Sequence, residues 1–271
     1  MTGTTVLFDL DDTLVVEEAA AGAAFLAASG VARERYGIDP KTLTAAVRCS
    51  AGELWRASPT ITYCRRIGVS SWEGLWATFV GEGSDLAALC EWAPAYRLES
   101  WRRALAEFGV HDAALAAALA DAFPCERRTR HLVYPDVVPA LHALRERQHR
   151  VAVVTNGVPD LQREKLRGAG LDAQFDAVVI SGEVGVGKPD PLIFLAAAER
   201  LGVDPALVVM VGDSLRRDVV GAQRAGMRGV WLNRAGATPA GDASRPDGVI
   251  ADLHELPTIV GSLAQLRTSV R

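Results

Sequence analysis

The chain has 271 residues, of which 49% are hydrophobic and 23% charged, with a formal net charge of −4. That is enough chain and apolar content for one large α/β domain or two smaller ones, with nothing disordered in its composition. The acidic balance excludes a broad surface for nucleic acid or anionic membrane, and no apolar stretch approaches the ~20 residues that span a bilayer.

Met1 leads within a few residues into the apolar run Val6–Phe8, with no charged and apolar leader before it, so a cytoplasmic protein is expected. After that first strand come segments that read as helices: Glu17–Tyr36, Pro40–Ala57, Ser71–Val80, Leu86–Phe108 and Asp112–Phe123. No convincing strand interrupts them. A helical module over residues 16–133 is therefore expected as an insert, with hinges near Leu14–Glu17 and Leu132–Pro135.

From Pro135 onward, strands and helices alternate. Helices are expected at Pro135–Arg147, Asp160–Ala169, Pro191–Leu201 and Arg216–Ala225, with apolar residues three and four apart. Gly170, Gly202 and Gly226 supply stop signals. Between the helices lie Val151–Val154, Ala177–Ile180, Leu207–Val211 and Gly229–Leu232. A weaker sixth strand, Gly248–Ala251, follows a loop over Ala235–Pro246. Continuous β-branched runs of this kind mark strands buried on both faces of a parallel sheet. The expectation is a doubly wound α/β core from residues 1–15 and 134–271, carrying an inserted α-helical domain.

Several residue types carry weaker signals. Cys49, Cys64, Cys90 and Cys125 form no C-x-x-C pair and read as reduced thiols. His111, His131, His142, His149 and His254 show no metal-ligand spacing. Trp55, Trp72, Trp76, Trp92 and Trp101 all fall in the insert, with Tyr36, Tyr63 and Tyr96. They are expected to pack its helices, the sharper alternative being that one or two stack on a flat substrate. The chain has only three lysines, Lys41, Lys165 and Lys188, among many arginines, so each is a candidate for a role arginine does not fill.

The chemistry gathers where strands end. The first runs into Asp9-Leu10-Asp11-Asp12-Thr13, the second into Thr155-Asn156-Gly157 and the fourth into Gly212-Asp213-Ser214. The third leads through a glycine-rich stretch to Gly187-Lys188-Pro189. Ligands of an open parallel sheet bind beyond the carboxyl ends of its strands, so the four clusters should converge. Asp9 and Asp11, two apart, share a face, and adding Asp213 concentrates charge that calls for a hard cation such as Mg²⁺. Lys188 and Thr155 are placed to hold phosphoryl oxygens drawn to that cation.

In order and context the four clusters resemble the four motifs of the haloacid dehalogenase superfamily, and the insert after Asp9–Thr13 resembles its C1 cap. The resemblance implies a Mg²⁺-dependent phosphatase acting on a small phosphorylated metabolite through an aspartyl-phosphate. It makes Asp9 the nucleophile and Asp11 the general acid and base. It places the metal on the carboxylates of Asp9 and Asp213 and the main-chain carbonyl of Asp11. Thr155, Asn156 and Lys188 would hold the phosphate, while Ser214 and Asp218 would orient Lys188 or the metal's surroundings. Two departures stand out: Arg217 where relatives often carry Asn, and Asp12 in place of a glycine.

Other activities remain beside this one. A phosphomutase would use the same aspartates and exclude water. Haloacid dehalogenases lack the acid at the position of Asp11, and phosphonatases need a cap lysine, for which only Lys41 is available. A catalytically silent binding module would normally have lost Asp9, Asp11, Lys188 or Asp213. Gly182–Lys188 nearly spells a phosphate-binding P-loop, but Pro189 follows where Ser or Thr is required. The D-x-D-D string also occurs in terpene cyclases, which are helical, whereas here it ends a strand-like run.

Overall fold

The computed structural model describes residues 4–238 and 245–268, so part of the loop expected over Ala235–Pro246 lies outside the described residues. β1 (Thr5–Phe8) is followed by α1 (Glu18–Tyr36), α2 (Pro40–Arg56), α3 (Ile61–Ile67), α4 (Ser71–Gly74), α5 (Ser84–Ala106) and α6 (Ala113–Arg128). Then come α7 (Val137–Glu146), β2 (Arg150–Thr155), α8 (Pro159–Gly168), β3 (Ala177–Ile180), α9 (Ser181–Val184), α10 (Pro191–Leu201) and β4 (Val208–Gly212). A π-helical turn over Leu215–Val220 opens into α11 (Gly221–Arg224), followed by β5 (Arg228–Leu232), β6 (Gly248–Ile250) and α12 (Leu256–Thr268).

The six strands form one parallel sheet in the order β3-β2-β1-β4-β5-β6. This is the expected doubly wound α/β fold. Strand order reverses at β1, which has β2 on one side and β4 on the other. Phe8 stands level with Val153 of β2 and Val211 of β4, so all three strands end at nearly the same height. That register brings Asp9, Thr155 and Asp213 out at the topological switch point. Leu7, Ala152, Val154 and Met210 are fully buried against Ile193, Phe194 and Ala197 of α10. Burial on both faces explains the unbroken apolar runs.

Two compact units divide the chain. One comprises Met1–Val16, Val133–Asn156 and Ala169–Arg271; the other comprises Glu17–Leu132 with Gly157–Gly168. Thus α8, which chain order placed with the α/β core, groups with the inserted helices. Val158 and Leu161 join their apolar cluster. Within this unit Phe25 stacks on Phe123 at 4.0 Å between centroids. Trp55, Trp76 and Trp101 are buried, and Trp72 and Trp92 pack against the same cluster from partly buried positions.

Lys165 of α8 is also buried, with its ammonium 3.0 Å from Glu73 Oε1 and 3.3 Å from Glu17 Oε1. The other oxygen of Glu17 pairs with the buried Arg127, whose guanidinium lies 4.7 Å from the centre of the Trp76 ring. Two acids and two bases thus balance in an apolar interior, where any one alone would be costly.

Some helices differ from the sequence reading. α4 stops at Gly74 instead of reaching Val80. Its start is fixed by a capping box between Ser70 and Glu73, and Gly74 lies so close under Trp55 that a Cβ there would come within 2.3 Å of the ring. α3 and α12 have no counterpart among the expected helices.

Candidate functional site

The site is built from the carboxyl ends of β1, β2 and β4 and from the loop before α10. Asp9 follows β1 directly; its amide donates to Val211 O at 2.9 Å, which extends the pairing with β4 by one residue. Its side chain is buried, with Oδ1 accepting from Leu10 N at 2.7 Å and lying 2.6 Å from Lys188 Nζ. Past Asp9 the chain turns sharply. Asp12 takes φ of 55°, its amide donates to Val15 O, and the amides of Leu14 and Val15 donate to Leu10 O. Asp11, half-buried, bridges to Val15 within this turn.

Lys188 is the electrostatic centre. Its ammonium lies 2.6 Å from Asp9 and 2.8 Å from Asp218 Oδ1, and both its side chain and that of Asp218 are buried. Asn156 fixes the lysine's main chain from both sides: Lys188 N donates to Asn156 Oδ1 at 2.7 Å, and Asn156 Nδ2 donates to Lys188 O at 3.0 Å. Both amide atoms of Asn156 are therefore engaged in placing Lys188. Thr155 ends β2 with its side chain buried.

After β4, Asp213 is held by its peptide groups: its amide donates to Thr13 Oγ1 at 3.1 Å, and its carbonyl accepts from Trp231 Nε1 at 2.8 Å. Ser214 caps the π-helical turn, its Oγ accepting from Arg217 N while its own amide donates to Asp218 Oδ2 at 2.9 Å. The wide turn folds Asp218 back over the end of β4, and only glycine fits beneath it. A Cβ at Gly212 would meet Asp218 Oδ2 at 2.2 Å. Single π-helical turns of this kind are frequent at functional sites.

Asp9, Asp213 and Asp218 each place a carboxylate oxygen within 4.8 Å of the others. Burial, followed by the charge of Asp218, pushes Asp9 up to about 8 in spite of Lys188. Burial and Asp218 likewise push Asp213 up to about 6. Burial alone would lower Lys188, but Asp218 and Asp9 raise it above its ordinary value and keep it charged. One ammonium among three carboxylates leaves an excess of negative charge. Arg217 feels it too: burial works against its charge, but Asp9, Asp218, Asp213 and Asp11 hold it protonated.

The structure thus brings Asp9, Lys188, Asp213 and Asp218 together, with Thr155, Asn156 and Ser214 on the segments that shape the group. Thr13, Trp231, Arg234 and Asp136 also support the site, and sequence reasoning gave them no role. Thr13 lay within a recognised cluster. The other three act through hydrogen bonds between distant segments, which leave no local pattern.

A family model described as a haloacid dehalogenase-like hydrolase matches residues 4–226. The phosphoserine phosphatase of Thermus thermophilus is 42% identical over 251 residues, which cover 93% of this chain and 96% of that protein. The glyceraldehyde 3-phosphate phosphatase of Methanopyrus kandleri is 45% identical over 135 residues, covering 49% of this chain and 58% of that protein. Among solved structures, a 2-haloacid dehalogenase from Pseudomonas syringae is 29% identical, with a TM-score of 0.61 over 96% of this chain and 99% of that one.

Proposed function

Because the chain belongs to the haloacid dehalogenase-like hydrolases and is a phosphoric monoester hydrolase among them, we propose that it cleaves a small phosphorylated metabolite by a Mg²⁺-dependent route through an aspartyl-phosphate on Asp9. The observation that carries this reading is the buried Asp9–Lys188–Asp218 group at the switch point, with Asp11 two residues past the nucleophile.

The donor set fits a hard cation. It is all oxygen, and two of its carboxylates are raised by burial and the charge of Asp218. Asp213 Oδ1 is buried without a hydrogen-bond partner. Mg²⁺ favours such ligands and keeps positions open for water and phosphate. Asp9 and Asp213 would hold it through carboxylates and Asp11 through its main-chain carbonyl. When bound, the ion supplies charge neutralisation at the transferring phosphoryl group.

Leu10 N and Lys188 both engage Oδ1 of Asp9 and so fix the orientation of the attacking carboxylate. Attack forms the Asp9 acyl phosphate and breaks the bond to the leaving oxygen, which takes a proton from Asp11. Asp11 then removes a proton from the water that attacks phosphorus, releasing phosphate and restoring Asp9. Lys188 and Thr155 hold the phosphoryl oxygens, Asn156 and Asp218 hold Lys188, and the helical insert acts as the cap.

Asp11 separates this reading from dehalogenation, since halide leaves as a weak base and needs no acid. The names of the two phosphatase relatives support a small phosphorylated substrate. The four cysteines, all free, fit the reducing cytoplasm. No helix among the described residues is long and apolar enough to cross a membrane. Phosphate release from a panel of phosphorylated metabolites, with Mg²⁺ or excess chelator and an Asp9→Asn control, tests the proposal. Metal-dependent release that disappears in Asp9→Asn supports it, and transfer to a second hydroxyl without free phosphate would mark a mutase.

A further inference from the structure

The end of β5 contributes two side chains that none of the four clusters contains. Trp231 donates its indole N–H to Asp213 O at 2.8 Å. Arg234, two residues past the strand, donates from Nη2 to Thr13 O at 3.1 Å, and Thr13 Oγ1 in turn accepts the Asp213 amide. Arg234 is itself firmly held. Its guanidinium makes a bidentate pair with Asp136 at 2.7 and 3.0 Å and lies 4.0 Å from the centre of the Tyr134 ring. Asp136 also accepts from Leu253 N at 2.7 Å. Burial alone would raise its carboxyl, but Arg234 and the Leu253 amide keep it below its ordinary value.

We propose that Trp231 and Arg234 are positioning residues for Asp213, aiming its carboxylate at the cation and so setting metal affinity; this rests on the functional reading above. Trp231 fixes the carbonyl of Asp213, and Arg234, through Thr13, fixes its amide. With both peptide groups pinned, the Cα–Cβ bond has a defined direction, and the unpartnered Oδ1 keeps its aim. Outer partners of this kind typically govern metal affinity by 10–100-fold. A guanidinium suits the task because its fork spans Asp136 and the Thr13 carbonyl together.

The test is direct binding of Mn²⁺, read from the electron-spin signal of the free ion, to the wild type, Trp231→Phe, Arg234→Met and Arg234→Lys. Leu201→Ala, in the apolar core away from the site, controls for general loosening. The expected result is a dissociation constant weakened by roughly 10-fold in Trp231→Phe and Arg234→Met, less in Arg234→Lys, and unchanged in Leu201→Ala. Unchanged affinity in both main variants, or an equal loss in Leu201→Ala, would overturn the inference. If Arg234→Met does not fold, Trp231→Phe, which keeps the apolar bulk, decides the matter. A wild type that binds no Mn²⁺ would instead overturn the functional reading, and this inference with it.

Discussion

Lys188 Nζ lies 2.6 Å from Asp9 Oδ1, so the proposed nucleophile and the proposed phosphate clamp are in direct contact in a buried site. Its other neighbour, Asp218, is 2.8 Å away. Replacing Lys188 by Met leaves three carboxylates without that ammonium. Activity should fall by about 10²-fold or more, the scale for loss of one preorganised stabilising donor. Lys188→Arg should not restore it, because a planar guanidinium cannot sit between the two aspartates as a compact ammonium does. Steady-state kinetics on both variants checks this; an active Lys188→Arg would contradict it.

Asp11→Asn should separate substrates by leaving group. Without the acid, cleavage of an alkyl phosphate should slow by roughly 10²–10⁴-fold, the usual contribution of general acid–base catalysis. An aryl phosphate with an acidic phenol leaving group should lose less in the first step. Equal losses for both, measured in single turnovers, would remove Asp11 from its role as proton donor.

The raised carboxyls predict a pH effect on the metal-free protein. Asp9, at about 8, and Asp213, at about 6, both lie above their ordinary values. Between the ordinary and raised values the folded chain binds more protons than the unfolded one, so stability declines as pH rises through this window. Thermal unfolding in chelator should therefore occur at a lower temperature at about pH 9 than at about pH 7. Mg²⁺ must displace those protons, so its added stabilisation should grow over the same range. A metal-free melting temperature that rises from pH 7 to 9 would contradict this charge balance.

Lys165 makes a prediction about stability alone. Lys165→Met leaves Glu17 and Glu73 buried with Arg127 as their remaining cation. Breaking a buried ion cluster this way should cost roughly 3–5 kcal/mol, measurable by urea unfolding. Adding Glu73→Gln should recover part of the loss by restoring charge balance. No recovery in the double variant would mean that packing, not charge, sets the cost.

Much of this was legible in the chain because each signal was local. β1 to β5 announced themselves as continuous β-branched runs, since both faces of the sheet are covered. Asp9, Lys188 and Asp213 stood beside them, where ligand chemistry collects. Of the three lysines, Lys188 and Lys165 are buried and ion-paired, while Lys41 lies on the surface. What stayed hidden depends on distance along the sequence. The pair Glu73–Lys165 spans 92 residues, which is why the membership of α8 in the helical unit could not be seen. Arg234 and Thr13 are 221 residues apart. α4 stops early at Gly74, where Trp55 packs so closely that no side chain fits, a contact with no period to read.

Borohydride trapping would capture the proposed covalent bond between phosphorus and Asp9. Wild-type protein turning over an identified substrate with Mg²⁺ would be quenched with borohydride, which reduces an acyl phosphate to an alcohol, and its peptides mapped by mass. Reduction is expected at Asp9 alone, dependent on substrate and metal. Rapid phosphate release with no reduced residue, or reduction at another carboxylate, would contradict it.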